Sequence, residues 1–161
     1  MKEIELKPIG EVHTRATEDE IRSGRGREEA IVEVFEEFRD ALDGLDGFSH
    51  LFVVSFFHLL KPEQIGPLRV RPRGLLSQGL SLEELPTRGV FALDSPTRPN
   101  PIGLSLVRLV RVEGSNLYVV GLDLFDGTPV LDIKPYQPQY RTEDYGLPDW
   151  YKQLHKRAGH V

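Results

Sequence analysis

The sequence contains no cysteine. That absence excludes a disulfide scaffold, a thiolate zinc site, an iron–sulfur cluster and a cysteine nucleophile. Long hydrophobic runs are missing as well, since no stretch approaches the roughly 18 consecutive apolar residues of a membrane-spanning helix. The opening residues, MKEIELKP, lack the basic-then-apolar order of a signal peptide. We therefore expect a cytoplasmic protein that does not contact a membrane.

The chain has fewer basic than acidic residues: 20 Lys and Arg against 25 Asp and Glu, which gives a formal net charge of −5. An acidic balance argues against non-specific coating of nucleic acid, because the affinity of that contact grows with the number of phosphates neutralised. One local basic cluster stands against this balance, Arg69, Arg71 and Arg73, with Arg25 and Arg27 as further cations. The cluster is interpreted either as a set of phosphate contacts or as a solvated charged face.

Common cofactor signatures are also absent. Gly24-Arg25-Gly26 follows no predicted strand and lacks the third glycine of a dinucleotide-binding loop, and no phosphate-loop Gly-Lys-Ser/Thr occurs. The five histidines lie at positions 13, 50, 58, 155 and 160 and show no metal-ligand spacing. We expect neither Rossmann nor phosphate-loop chemistry, and no bound metal.

What the sequence has in quantity is turn residues, 15 Gly and 12 Pro. Between them lie about seven short segments rich in β-branched and aromatic residues, which predict an all-β barrel or sandwich. The predicted strands cover residues 4–12, 48–60, 68–70, 88–93, 102–112, 116–123 and 128–133. We expect the first to be an edge strand because Pro8 interrupts it. A short helix at about 36–42, ended by Gly44, and a mobile loop over 14–27 complete the prediction.

Residues 95–103, SPTRPNPIG, form a proline-rich connection between two predicted strands. Three prolines fix the backbone and push each preceding residue toward an extended geometry, so the segment predicts a rigid shelf. A rigid shelf holds Arg98 and Asn100 at fixed positions, as a preorganised site requires. The alternative is a stiff connection with an exposed arginine.

Residues 123–136, DLFDGTPVLDIKPY, form a second dense segment. Asp126 begins an Asp-Gly-Thr-Pro turn, and a strand resuming at Val130 would place Val130, Asp132 and Lys134 on one face. An acidic residue beside a basic one on an otherwise apolar strand predicts a functional position or, alternatively, a structural salt bridge.

These two segments carry a family resemblance. With Gly89-Val90-Phe91-Ala92 ahead of the shelf and FSHLFVVSFFH at 48–58, residues 4–138 closely resemble the TsaA-like or TrmO family of S-adenosylmethionine-binding proteins. The resemblance implies a mainly β, single-domain barrel over 1–136, a homodimer, and S-adenosyl-L-methionine as cofactor. It also implies N6-methylation of threonylcarbamoyl-adenosine at position 37, in the anticodon loop of tRNA. We expect residues 137–161 to be a C-terminal tail that packs on the barrel or on a dimer partner.

The resemblance also implies which residues contact the cofactor. They are Phe57, His58 and Leu104, the segment Val120, Gly121, Leu122 and Asp123, and the loop at Arg22, Ser23 and Gly24. In that loop the family usually carries Pro-Arg-Gln, whereas this chain reads Ile-Arg-Ser. Before the shelf, relatives commonly read Ala-Thr-Arg-Ser and this chain reads Ala-Leu-Asp-Ser, so that Asp94 replaces an expected cation. An anion there favours the ammonium or a ribose hydroxyl of the cofactor.

Methyl transfer from a sulfonium needs alignment of donor and acceptor, and no metal. An N6 that bears a carbamoyl group is a poor nucleophile while protonated, so an acceptor near its N–H would help. The candidate catalytic residues are Asp132 as general base, Asn100 as an orienting group, Arg98 on the carbamoyl carboxylate or a phosphate, Tyr136 stacked on the adenine, and Lys134 beside Asp132. Two alternatives stay open: a non-catalytic sensor or accessory module that binds S-adenosylmethionine, and a methyltransferase with a different acceptor.

Overall fold

The structure, a computed structural model, describes residues 3–24 and 29–158. Their strands are β1 (Gly10–His13), β2 (Glu29–Val34), β3 (His50–Phe56), β4 (Arg69–Val70), β5 (Arg88–Gly89), β6 (Ile102–Glu113), β7 (Asn116–Val120) and β8 (Pro129–Pro135). Their α-helices are α1 (Glu18–Arg22) and α2 (Asp149–Arg157), and short 3-10 turns cover Glu36–Leu42, Pro62–Gln64, Arg73–Gln78, Leu82–Glu84, Val90–Ala92 and Pro138–Tyr140. No helix within the described ranges combines the length and the apolar character needed to cross a bilayer.

The chain divides into two structural units. Residues 1–59 and 101–136 form the first, here called the barrel unit, and residues 60–100 and 137–161 form the second unit. The predicted division was different, because it placed residues 60–100 with the barrel and left residues 137–161 as a separate tail. The packing of that tail on the barrel or on a dimer partner stays a prediction.

In the barrel unit, six antiparallel strands close into a barrel in the order β1-β2-β7-β6-β3-β8. Alternating side chains point inward, as β6 shows: Gly103, Ser105, Val107 and Leu109 are buried while the residues between them are exposed. The interior is filled by Val12, Ala30, Val32, Val34, Leu51, Val53, Val107, Leu109, Leu117, Val119, Leu122, Leu124 and Val130. The predicted mainly β barrel is confirmed.

The first strand is shorter than expected and is not an edge. Of the predicted 4–12 segment only residues 10–12 belong to β1, which continues to residue 13 and pairs on one side with β2 and on the other with β8. Gly10 permits this close packing, because a Cβ at that position would lie 2.1 Å from the Glu33 carbonyl oxygen. Barrel closure therefore overrides the edge-strand signal that Pro8 gave.

A β-bulge in β8 changes which of its side chains point into the barrel, compared with the prediction. Val54 of β3 lies opposite Asp132, but the next residue, Ser55, lies opposite Val130, so Leu131 is the extra residue. A bulge shifts the inward and outward alternation by one position. Val130 is consequently buried in the interior, whereas Asp132 and Lys134 lie on the outer face. The prediction that Val130 shares a face with Asp132 and Lys134 is wrong for this reason.

The predicted loop over residues 14–27 contains a helical turn. Thr17 accepts a hydrogen bond from the Glu20 backbone amide while the Glu20 carboxylate accepts one from the Thr17 amide, a capping box that begins α1. Ile21 is the buried residue of α1. The part of the predicted loop at 25–27, with the cations Arg25 and Arg27, lies outside the described residues. The helix predicted at about 36–42 is present as a 3-10 helix, followed by Gly44 at a φ of 78°.

The second unit has a small core of its own. Leu75, Leu80, Leu85 and Leu154 are buried together, with Trp150 and Ala158 packed against them. The Arg88 guanidinium lies 5.0 Å from the centroid of the Trp150 ring, which adds a cation–π contact between β5 and α2. Helix α2 thus joins residues 60–100 by a leucine and a tryptophan that its sequence places four residues apart.

Truncating Leu154 should therefore lower the free energy of unfolding of the second unit. We expect Leu154→Ala to cost about 2–3 kcal/mol, because it removes a buried side chain from a core of four leucines. Urea unfolding followed by Trp150 fluorescence measures the change, since the chain has one tryptophan. The exposed Lys152→Ala on the same helix is the control, and equal midpoints for the two variants would contradict the assignment of this core.

Candidate functional site

Polar side chains interrupt the apolar barrel interior where β3 runs beside β6. Ser55 is fully buried and Ser105 is 7% exposed. The strand register places Ser55 opposite Gly103 and Val53 opposite Ser105, so the two hydroxyls come from neighbouring positions of the same ladder. The Ser55 hydroxyl has no hydrogen-bond partner among the described residues. A buried, unpartnered hydroxyl is costly, and it marks this part of the interior as more than packing.

Gly103 allows three groups to meet at that point. A Cβ on Gly103 would lie 2.5 Å from Ser55 Oγ and 2.8 Å from Cζ of the Phe57 ring. The Phe57 amide also donates a 2.8 Å hydrogen bond to the Pro101 carbonyl. The predicted cofactor residue Phe57 is thereby fixed against the end of the proline shelf.

The segment 120–123 reaches the same place from β7. Gly121, at a φ of 94°, turns the chain beyond Val120 and passes the Leu106 carbonyl. Ser105 Oγ then donates a 2.7 Å hydrogen bond to Asp123 Oδ1, which holds the carboxylate beside β6. The structure therefore brings together the predicted residues Phe57 and Asp123 through β6, which neither motif revealed.

The other predicted cofactor residues of the barrel differ in exposure. Leu104 and Val120 are 69% and 37% exposed on the outer face, where a ligand can touch their side chains. Leu122 is 2% exposed and belongs to the barrel core, so only its backbone can face a ligand. His58 is exposed just beyond β3.

Arg22 is brought to the same segment by α1. Its guanidinium lies 4.8 Å from the centroid of the Phe125 ring, two residues beyond Asp123, and also contacts Glu18 at 3.1 Å. Nearby in sequence, the Thr14 amide donates to Asp126 Oδ1 at 2.9 Å. Ser23 donates to the Glu20 carbonyl and Gly24 follows it. The loop that the resemblance implied thus lies against the ribbon that follows β7.

Asp132 and Lys134 on β8, with Tyr136 directly after it, form an outer-face cluster. Lys134 Nζ lies 2.7 Å from Asp132 Oδ2, and Asp132 Oδ1 accepts from the Ile133 amide at 2.9 Å. The Tyr136 ring packs 5.7 Å from the Phe52 ring and 6.5 Å from the His50 ring. The two side chains of the ion pair are 47% and 57% exposed, so the pair is open to a substrate as well as to water.

One row across the sheet links this cluster to the cofactor residues. Val54 of β3 lies opposite Leu104 on β6 and opposite Asp132 on β8. Two strand spacings therefore separate Leu104 and Asp132, about 10 Å between their backbones. The residue proposed for the cofactor and the residue proposed as the base occupy the same outer face.

The remaining predicted residues lie in the second unit. Arg98 donates from one guanidinium nitrogen to the Val90 carbonyl at 3.0 Å and to the Leu93 carbonyl at 3.3 Å. Arg98 thus holds the 90–93 turn, a positioning contact that the sequence did not reveal. Asp94, just before the shelf, and Asn100, within it, are both exposed. The roles predicted for Arg98, Asn100 and Asp94 toward ligands stay predictions.

Sequence reasoning missed three residues of this site: Ser55, Gly103 and Ser105. The signal was present, because a serine at an inward position of an otherwise apolar strand breaks the alternation. It was overlooked because inward and outward positions are known only when the strand register is known.

One group of carboxylates and a histidine comes close enough to share a cation within the described residues. The register places Glu11 directly opposite Glu33, and His13 Nε2 lies 2.6 Å from Glu33 and 3.5 Å from Glu11. Two like charges facing each other across strands are unfavourable, and His13 relieves that repulsion. The contact is explained without a metal ion.

Two surface groups with shifted pKa values lie outside the site. Hydrogen bonds to Glu113 and then Glu29 raise the pKa of Arg111, which stacks on Tyr118. The backbone amide of Ser81, followed by its hydroxyl, lowers the pKa of Glu84 in a second capping box. The hydrogen bonds that cause these shifts stabilise a strand end and a 3-10 turn, and they do not indicate a catalytic role.

Adding one methyl group at Gly103 tests the core of the site. We expect Gly103→Ala to displace the Phe57 ring or the Ser55 hydroxyl, because the new Cβ would overlap both. Heteronuclear NMR should show shifts concentrated at residues 55–57 and 103–105. Gly74→Ala is the matched control, since Gly74 has no neighbour within 4 Å of the added atom. If Gly103→Ala caused no shifts at residues 55–57 and 103–105, as Gly74→Ala is expected to cause none, the close packing described here would be contradicted.

The family model described as tRNA-methyltransferase O N-terminal domain matches residues 17–142. A probable S-adenosyl-L-methionine-binding protein from Pyrococcus abyssi is 38% identical over 155 residues, which are 93% of this chain and 78% of the relative. A second protein of that description, from Methanothermobacter thermautotrophicus, is 43% identical over 137 residues, or 83% of this chain and 90% of the relative.

A human tRNA (adenine(37)-N6)-methyltransferase is 41% identical over 107 residues, which are 66% of this chain but only 22% of the human protein. Among solved structures, a crystal structure of TrmO superimposes with a TM-score of 0.66 at 32% identity, covering 92% of this chain and 64% of that one. TrmO from Pseudomonas aeruginosa gives a TM-score of 0.65 at 30% identity, with 90% and 61% covered. The chain thus spans somewhat less than two thirds of these crystallised proteins.

Proposed function

Because the chain belongs to the tRNA-methyltransferase O N-terminal domain family, we propose that it methylates N6 of an adenine in tRNA with S-adenosyl-L-methionine as donor. The acceptor we propose is threonylcarbamoyl-adenosine at position 37, in the anticodon loop. The observation that carries the proposal is the family match over residues 17–142. Relatives named as S-adenosyl-L-methionine-binding proteins support the donor, and relatives named as tRNA (adenine(37)-N6)-methyltransferases support adenine 37 of tRNA as the position of the acceptor.

The barrel residues fit the chemistry of the donor. S-adenosyl-L-methionine offers an adenine face, a ribose diol, a sulfonium and an amino-acid end. Phe57 supplies an aromatic surface, Asp123 a carboxylate for ribose hydroxyls, and the exposed Leu104 an apolar contact. The bound cofactor would supply the electrophilic methyl group.

The acceptor side of the reaction falls to the outer face of β8. Transfer of the methyl group to N6 would release the N6 proton, so a residue of this chain has to accept that proton. Asp132 is the proposed acceptor of that proton, and Lys134 holds its carboxylate in place at 2.7 Å. Tyr136 is proposed to stack on the adenine. Arg98 and Asn100 are proposed to orient the carbamoyl group, with Arg98 also fixing its own turn.

Asp94 is the proposed point at which this chain departs from its relatives. The side chain is exposed at the end of a turn that Arg98 holds. A carboxylate at this position would pair with the ammonium of the donor or accept from a ribose hydroxyl. It cannot pair with the donor's carboxylate, as the arginine of relatives would.

We propose a homodimer for this chain. The outer face of β6 exposes Ile102, Leu104, Leu106 and Val110, at 38%, 69%, 50% and 47%. Ile102, Leu104 and Leu106 are consecutive on this face, with Arg108 between them and Val110, and such an exposed apolar patch is typical of an interface. A second copy seated there would cover Leu104 and so exclude water from the proposed donor site.

The proposed reaction is tested by binding and by product analysis. Calorimetry with S-adenosyl-L-methionine measures the first, and mass spectrometry of nucleosides measures the second, after incubation with tRNA that carries or lacks threonylcarbamoyl-adenosine. Methylation of only the modified tRNA is the expected result. Binding without any methylated nucleoside would favour the sensor function, and methylation of unmodified adenine would change the acceptor.

Asp132→Asn tests the proposed base. We expect turnover to fall roughly 100-fold or more while the affinity for S-adenosyl-L-methionine stays unchanged, because the amide keeps the shape but cannot take the proton. Asp46→Asn, an exposed carboxylate of the same unit, is the control. Full turnover in Asp132→Asn would remove this residue from the mechanism.

Leu106→Glu tests the dimer. A charge in the apolar patch should shift the protein from dimer to monomer, because an unpaired charge cannot be buried at its centre. Size-exclusion chromatography with light scattering measures the mass, with the exposed Leu76→Glu in the second unit as control. A monomeric wild-type protein would contradict the proposal outright.

A further inference from the structure

Charge is distributed unevenly between the two units. The second unit carries ten Lys and Arg against seven Asp and Glu, while the barrel unit carries ten against eighteen. The overall acidic balance therefore belongs to the barrel unit. The surplus of positive charge that could attract a polyanion lies in residues 60–100 and 137–161.

Two arginine side chains in and just after β4 have no acidic partner among the described residues. The guanidinium groups of Arg69 and Arg73 are exposed and form no hydrogen bond or ion pair within the described ranges. Between them, Arg71 donates to the Leu82 carbonyl at 2.7 Å and is thereby anchored to the unit. The alternating arrangement leaves two cations on a fixed backbone available for phosphates.

An exposed aromatic ring lies at the same ladder. Arg69 pairs with Gly89 of β5, and the Val90 amide donates to the Leu68 carbonyl at 3.1 Å. The next residue, Phe91, is 84% exposed, and Leu68 is 67% exposed. Arg98 holds the carbonyls of Val90 and Leu93 on both sides of this ring. The turn that Arg98 holds therefore keeps Phe91 exposed to solvent, although water is an unfavourable environment for a phenyl ring.

We infer that Leu68, Arg69, Arg73 and Phe91 form a binding surface for single-stranded RNA, here called the β4–β5 surface. An unpaired base stacks on the Phe91 ring, and Arg69 and Arg73 neutralise the adjoining phosphates. Every base has a face that can stack, so one aromatic ring beside free cations suffices for this contact. The inference rests on the proposed function, since it assigns the anticodon loop of the tRNA to this surface.

The observations favour RNA over a protein partner. Two exposed apolar side chains are too few for the apolar centre of a stable protein interface. The surplus of positive charge in the second unit, with its unpartnered arginines, complements phosphates instead.

Binding of a synthetic anticodon stem-loop RNA, measured by fluorescence anisotropy without cofactor, tests this surface. Phe91→Ala should weaken binding roughly 5- to 150-fold, the range found for loss of one stacked base. Phe91→Trp should restore it, and Tyr145→Ala, which removes another exposed ring of the second unit, should leave it unchanged. Arg69→Ala with Arg73→Ala should lower the dependence of affinity on salt by about 1.4 in logarithmic slope.

The outcomes separate this inference from the proposed function. Equal RNA affinities for Phe91→Ala and Tyr145→Ala, or no binding by the wild type, overturn the β4–β5 surface. In that case, methylation of tRNA by the wild type still upholds the enzyme. Conversely, Phe91-dependent RNA binding without any methylated nucleoside upholds the surface and overturns the proposed reaction. Unchanged calorimetry with S-adenosyl-L-methionine shows that each variant keeps its barrel.

Discussion

The pairing of β3 with β6 on one side and β8 on the other is the constraint on which the site depends. Its register places Leu104, Val54 and Asp132 in one row outside the barrel and sets Ser55 against Gly103 inside it. A slip by one residue would turn every one of these side chains to the opposite face. Gly103 enforces the register locally, because any larger residue would collide with Ser55 and Phe57. The residues proposed for the donor and for the acceptor therefore both take their positions from β3.

Most of the barrel could be predicted from local patterns, and the errors have physical causes. The apolar run at 48–60 and the alternating run at 102–112 are strands because their side chains fill a barrel interior. The facing of Asp132 could not be read from its strand, since the extra residue at Leu131 appears only when β8 is laid against β3. Helix α1 was missed because its capping box lies among polar residues that also favour a loop.

The candidate site residues were predicted from the family resemblance and not from local sequence patterns. Family resemblance supplied Phe57, Leu104 and Asp123, but no spacing in the sequence joins residues so far apart. What joins them is β6, through the contact of Gly103 with Phe57 and the hydrogen bond of Ser105 to Asp123. For Arg98 the sequence predicted a substrate contact from its place in the proline-rich shelf. In the structure its guanidinium also donates hydrogen bonds to two backbone carbonyls.

The hydrogen bond from the Phe57 amide to the Pro101 carbonyl has a consequence for how the chain is built. It ties the point where the polypeptide leaves the barrel to the point where it returns, so residues 60–100 are an excursion with adjacent ends. Closing such an excursion costs little more entropy when it grows longer. Closing the barrel therefore constrains the length of this excursion only weakly, so insertions or deletions there can be accommodated without moving the paired ends of β3 and β6.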